Sequence, residues 1–370
     1  MISAQAVMSE VQEKEQKIFK LINDQGLDGL GLFRAVNFTW FTAGGTNRVA
    51  FGTERGCAFI LILEGKKYMY APVNEIERIM TEQVPDQDFI PVTFEWYENP
   101  LSIMERTIKG KKIGSDLAMA GMEFVGNEVD VLRFTLTPAE ILKAREVADI
   151  CSRELARLCV DIHPGMTEQE MQGMLSGRLL AQGIRTPVLL VGTDERILQH
   201  RHPVVTEKKL EKHALFAIVG EKWGIHITLT RSVYFGKLPE VFRERHELVC
   251  RVDGAMEAAT VAGQTTNAVL ERAKERYARF GYPDEWKRHH QGGLIAYAPR
   301  EFKAPDRNEV IAVNQMYGWN PTLQGTKSEE TLLINSEGLP VVLTSVPAWW
   351  PKLEMEIQGR RITRPAILET

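Results

Sequence analysis

Two apolar runs, Ala214 to Val219 and Ile225 to Phe235, are joined only by Gly220-Glu221-Lys222-Trp223-Gly224. A link that short reads as an antiparallel hairpin. Helical patterns follow at about 240–262 and 266–280, and strand-like runs return at Val310 to Trp319, Thr331 to Ile334 and Val341 to Leu343. Helices grouped with antiparallel strands, in place of strict one-for-one alternation, predict an α+β fold for this part of the chain.

The N-terminal part reads as a smaller α/β unit. Val11, Ile18, Leu21 and Ile22 form a helical stripe that ends at Gly26. Cys57 to Leu63 and Met69 to Val73 read as strands, and Ile76 to Glu82 as a helix. A long helix is predicted from Pro138 to about Asp161, closed by His163-Pro164-Gly165. Thr167 with Glu170 three residues on is a capping box that opens another helix to about Leu180. A chain of 370 residues suggests two domains at roughly 150 residues each. The boundary is placed between 1–135 and 136–370.

Composition excludes several functions. A net charge of −4, with basic pairs scattered singly, gives no stripe for a phosphate backbone, so no nucleic-acid partner is expected. No apolar run approaches the ~18 residues of a membrane span, and the polar, acidic start of the chain does not read as a signal peptide. Cys57, Cys151, Cys159 and Cys250 are far apart and include no C-x-x-C pair, which suggests neither disulfides nor a zinc knuckle. The expectation is a reduced, cytoplasmic protein.

Common catalytic signatures are missing. No Gly-Lys pair is followed by Ser or Thr, there is no G-x-S-x-G elbow, and His246-Glu247 lacks a second zinc-helix histidine. Gly26, Gly29 and Gly31 follow a helix and lack dinucleotide-binding spacing. Three patches remain. They are Asp194-Glu195-Arg196 with His200-Arg201-His202-Pro203, then Arg288-His289-His290-Gln291-Gly292-Gly293, then Trp319-Asn320-Pro321-Thr322 leading to Gly325-Thr326-Lys327-Ser328-Glu329-Glu330-Thr331. Four of the eight histidines fall in the first two. Each patch also has a structural reading: His202 closing a turn, the glycine pair as a bulge for close backbone packing, and the glutamates as a solvated edge.

In order and spacing, these patches resemble the creatinase/prolidase/aminopeptidase P family, the pita-bread fold. The resemblance covers essentially the whole chain, including Asn37-Phe38-Thr39-Trp40-Phe41-Thr42, Ala139-Glu140-Ile141, Pro164-Gly165-Met166-Thr167-Glu168 and Thr230-Arg231. It implies a small N-terminal domain, a C-terminal pita-bread domain and a homodimer. The family usually holds two metal ions on five side chains. At those positions this chain offers Ala217, Thr228, His290, Asn320 and Glu329, so one imidazole and one carboxylate survive. Neutral oxygens are poor main ligands for manganese or zinc, and the expectation is no metal and no cofactor. A single zinc on His202, His290 and Glu329 is the alternative.

The creatinase branch works without metal through a histidine acid/base, and His202 matches that position. Positioned acid/base chemistry supplies roughly 10²- to 10⁴-fold. The resemblance thus implies a metal-independent hydrolase or lyase for a small molecule's C–N bond, with His202, His290 and Glu329 as the catalytic group. Asn320, Thr228, His289 and Arg201 are expected to bind substrate, joined by Glu301, by His226 (two residues before Thr228 on one strand face) and by Arg48 reaching across the dimer. With Glu329 as the lone acid, a substrate bearing a carboxylate or amide is expected in preference to a guanidinium. The alternatives are a non-catalytic binding module and an Xaa-Pro metallopeptidase.

Overall fold

The apolar stripe predicted near the N-terminus becomes helix α1 (Ala4–Asp24), with Val11, Ile18 and Leu21 buried. In the computed structural model, which describes residues 4–370, the chain divides into two compact units that change over between Glu140 and Ile141. The first unit is built on a six-stranded mixed sheet of order β4-β3-β2-β1-β5-β6. Its strands are β1 (Gly29–Arg34), β2 (Arg55–Leu63), β3 (Lys66–Pro72), β4 (Ile90–Phe94), β5 (Ile113–Ser115) and β6 (Glu123–Phe124). Phe33, Phe59 and Tyr70 stack across β1, β2 and β3 with ring centroids 4.9 and 4.8 Å apart, and they anchor one core.

Helices α2 (Ala35–Phe41), α3 (Ile76–Arg78), α4 (Pro100–Ile108) and α5 (Gly126–Leu132) complete this unit. The helix expected at 76–82 is one α-helical turn that widens into a π-type turn over Ile79–Gln83. Asn37, from the segment that carried the family resemblance, is buried in α2. It donates to Asp116, whose carboxylate also accepts the backbone N–H groups of Phe33 and Arg34. Burial, offset in part by these donors, raises the Asp116 pKa.

Helix α6 (Pro138–Asp161) runs from the first unit into the second. Thr137 and Glu140 cap it reciprocally at 2.7 and 3.2 Å, and Thr167 and Glu170 do the same for α7 (Glu168–Leu180). The second unit holds a four-stranded sheet of order β19-β9-β8-β7 and a five-stranded sheet of order β11-β10-β12-β15-β16. The four-stranded sheet contains β7 (Arg185–Thr193), β8 (His213–Lys222), β9 (Ile225–Tyr234) and β19 (Leu368–Glu369). The other contains β10 (Gly292–Ile295), β11 (Phe302–Lys303), β12 (Met316–Trp319), β15 (Glu330–Ile334) and β16 (Pro340–Val342).

The hairpin predicted from the two apolar runs is β8–β9. The strands extend into the expected linker, leaving a two-residue turn at Trp223 and Gly224, both with positive φ. Only Met316–Trp319 of the run expected from Val310 is a β12 strand, because Asn314 takes a left-handed turn (φ 62) just before it. Helices α8 (Glu195–Gln199), α9 (Glu240–Ala259) and α10 (Thr266–Arg279) flank the sheets, and a short hairpin, β13 (Thr322–Leu323) and β14 (Thr326–Lys327), precedes β15. The hairpin of β17 (Lys352–Ile357) and β18 (Arg360–Pro365) packs Met355, Ile357 and Ile362 on Cys250, Ala255 and Ala258 of α9. Trp350 beside it is buried and donates to Ala366 O, whereas Trp349 is exposed.

Candidate active site

The double glycine sets the position of His290. Gly292 has φ +103, and a Cβ there would lie 2.1 Å from Gly318 O; one on Gly293 would lie 2.1 Å from Phe302 O. β10 therefore runs hard between β11 and β12, and no larger residue fits either place. The two sheets meet where Thr230 N donates to Glu329 O at 3.1 Å and Thr228 N donates to Thr331 Oγ1 at 2.9 Å. Between them lies a cavity of about 300 Å³. The lining contributed by β7 and β8 (Val188, Leu190, Ala217, Ile218 and Val219) is apolar, and the remainder includes His202, Thr228, His290, Arg300, Asn320, Lys327 and Glu329.

Alternation along residues 327–330 separates two environments. Lys327 and Glu329 line the cavity. Ser328 and Glu330 turn away into a buried ionic network, where Ser328 donates to Asp253 at 2.6 Å and Arg231 pairs with Glu330 at 2.7 Å. Arg364 extends the network to Asp253 and Glu257 at 2.7 and 2.6 Å. The strand that presents the cavity residues is thus fixed from behind by charge-assisted bonds.

Glu329 is buried and fully engaged. Its Oε2 accepts from Lys327 Nζ and Thr230 Oγ1, both at 2.9 Å, and its Oε1 accepts from Arg300 Nη2 at 3.0 Å and from Thr228 Oγ1. Burial works to raise its pKa, but the Lys327 ammonium, the Arg300 guanidinium and the Thr228 hydroxyl outweigh it and hold the carboxyl down to about 2. At neutral pH it is an anion and no proton donor.

The histidines are the opposite case. His202 Nε2 and His289 Nε2 are 2.9 Å apart, so one ring donates and the other accepts. His289 and His290 stack with centroids 4.4 Å apart. Burial, reinforced by the Lys327 ammonium, lowers His202 and takes His289 to about 2; burial and then the Arg300 guanidinium bring His290 to about 4. All three are neutral bases at pH 7. The buried Nδ1 atoms of His289 and His290 and Oδ1 of Asn320 have no hydrogen-bond partner among the described residues.

Other expected site residues lie elsewhere. His226 is buried against the carbonyls of Gly224 and Ala296 and does not line the cavity. Glu301 accepts the N–H of Tyr297 at 2.9 Å. Arg201 pairs with Glu285, which Arg288 also approaches at 3.8 Å. Arg48 belongs to the first unit, where its N–H donates to Thr46 Oγ1 at 3.2 Å. In the first patch, Asp194 accepts three backbone N–H groups, from Glu211, Lys212 and His213, which is a structural use. Sequence reasoning missed Lys327, Arg300 and Thr230. The lone glutamate was the signal, since a buried carboxylate requires a counter-charge, and Lys327 stands two residues before it.

Residues 142–335 match metallopeptidase family M24, and the chain belongs to that family. An uncharacterized hydrolase/peptidase, y4tM, of Sinorhizobium fredii is 20% identical over 325 residues, covering 79% of this chain and 82% of the relative. Among solved structures, an Xaa-Pro dipeptidase from Bacillus anthracis is similar with a TM-score of 0.75 at 19% identity, over 91% of this chain and 98% of the other. The N-terminal domain of FACT complex subunit SPT16 from Cicer arietinum (chickpea) is similar with a TM-score of 0.71 at 11% identity, over 92% and 97%. The pita-bread fold follows. No helix among the described residues is long and apolar enough to cross a membrane.

A pair of divalent ions does not fit these residues. Both oxygens of Glu329 are taken up by cations and hydroxyls, Ala217 has no donor atom, and two ions would face two fixed positive side chains across one carboxylate. His202, His289 and His290, with ligand-capable nitrogens within 4.8 Å of one another, are the group among the described residues that a single ion would find. The positive charges of Lys327 and Arg300, which share the cavity lining with His202 and His290, oppose an ion there as well.

Proposed function

We propose that this protein is a metal-independent hydrolase or lyase that cleaves a C–N bond of a small molecule, with His202 as acid/base. Membership of a peptidase family supports hydrolysis of a C–N bond in general terms. The observation that carries the finer reading is the state of the imidazoles: His202 is a neutral base on the cavity wall, hydrogen-bonded through Nε2 to His289. In the hydrolytic form, a water's oxygen bonds to the carbon while the remaining nitrogen of His202 takes its proton. The C–N bond then breaks as the imidazolium returns that proton to the departing nitrogen. His290 and Asn320 hold the reacting group. Glu329, which is ionised and held by four donors, fixes Lys327 and Arg300 and carries no proton.

The test is turnover of a panel of small amides and related C–N compounds by protein dialysed against chelator, with Xaa-Pro dipeptides assayed with and without manganese. The reading predicts turnover that is indifferent to metal and at least about a hundredfold lower in His202→Ala. Tightly bound metal that supports dipeptide turnover, or only a few-fold loss in that variant, would refute it. The second reading, a non-catalytic binding module, predicts that nothing in the panel is turned over.

A further inference from the structure

The cavity's charge and shape together select a class of ligand. Two cations, Lys327 and Arg300, face one carboxylate, Glu329, at 2.9 and 3.0 Å. The wall therefore carries one uncompensated positive charge. Around it are donors with capacity to spare: Lys327 Nζ spends one contact on Glu329, and Arg300 Nε is buried with no partner among the described residues. The β7–β8 part of the lining is apolar: Val188 and Leu190 pair with Val219 and Ala217 on one face of the sheet. The volume, about 300 Å³, is at the small end of the ~300–1,000 Å³ typical of ligand sites.

From this we infer that Lys327 and Arg300 recognise the carboxylate of a small aliphatic monoanion that also carries the scissile C–N bond, with its carboxylate on the cationic wall and its alkyl part on the β7–β8 wall. One positive charge suits a monoanion and leaves a phosphate dianion undercompensated. A guanidinium or ammonium ligand meets like charge. The inference rests on the proposed function in taking this cavity as the substrate site, and it assigns specificity to two residues outside the acid/base group.

Titration calorimetry with acetate, butanoate and hexanoate, their primary amides and the matching alkylammonium ions tests it without turnover. The acids bind, with affinity rising about fourfold per methylene until the cavity is full. The amides bind about tenfold or more weakly, and the ammonium ions do not bind. Lys327→Met abolishes the difference between acid and amide, and Ala217→Phe abolishes the chain-length gain.

In case Lys327→Met does not fold, the unaltered protein gives the same answer by carbon NMR: the carboxyl of bound labelled hexanoate titrates below its free value. Amides binding as well as acids, inorganic phosphate competing as strongly as hexanoate, or an unshifted carboxyl would each overturn the inference. His202→Ala separates the two readings, because it keeps hexanoate affinity within a few-fold even though it removes the proposed acid/base.

Discussion

The ammonium of Lys327 lies 2.9 Å from Oε2 of Glu329, and these two side chains, two positions apart in sequence, face the same cavity. Glu329 is thereby a counter-ion within a protein-built cluster, and its removal strands two cations. Glu329→Gln is expected to lower stability by ~3 kcal/mol, measured by urea unfolding at pH 7. Because its folded pKa is depressed to about 2, its contribution is present above about 4.5 and is lost as pH falls towards 2. The variant should lose that part of the acid dependence, and an unchanged profile would refute the assignment.

The histidines predict a separate acid window. A buried imidazole with a folded pKa near 4 leaves the unfolded chain to take up protons first, so its contribution is complete above about 6.5 and falls as pH drops to 4. Proton NMR of the imidazole C–H signals should find His290 neutral down to about pH 5 and His289 neutral lower still. A midpoint near 6.5 for either would show that it is not in this environment.

Behind the cavity, Arg231 and Glu330 form a fully buried pair. Arg231→Met is expected to cost about 3–5 kcal/mol by leaving Glu330 unpaired, and the double variant Arg231→Met/Glu330→Leu to recover much of that loss. Additive losses in this double-mutant cycle would mean that the pair is not coupled.

Glycines separate by backbone geometry. Gly292→Ala meets Gly318 O at a positive φ and should cost on the order of 3 kcal/mol, a fall in melting point of roughly 6–12 °C. Gly173→Ala, inside α7 with open space at its Cβ, should stabilise by about 0.5–1 kcal/mol. Calorimetry of the two variants checks both signs.

Much of the architecture was legible locally. The capping box at Thr167, helices α6 and α7 and the β8–β9 hairpin all rest on residues within a few positions of one another. The close backbone packing anticipated for the double glycine is its geometry in β10. Strand β7 and the β17–β18 hairpin were missed: β7 carries a proline at Pro187, and Lys352-Leu353-Glu354-Met355-Glu356-Ile357 does alternate polar with apolar residues as a strand should.

By itself, the sequence determined the α+β class and the family, because the order of the motifs and the chemistry of their side chains are written in one dimension. Only the tertiary structure decided which distant groups join Lys327 on Glu329: Arg300 stands 29 positions away and Thr228 stands 101. No periodicity encodes such distances. Two packed sheets bring those groups within hydrogen-bonding range, and a buried charge takes its partners from whatever the fold puts beside it.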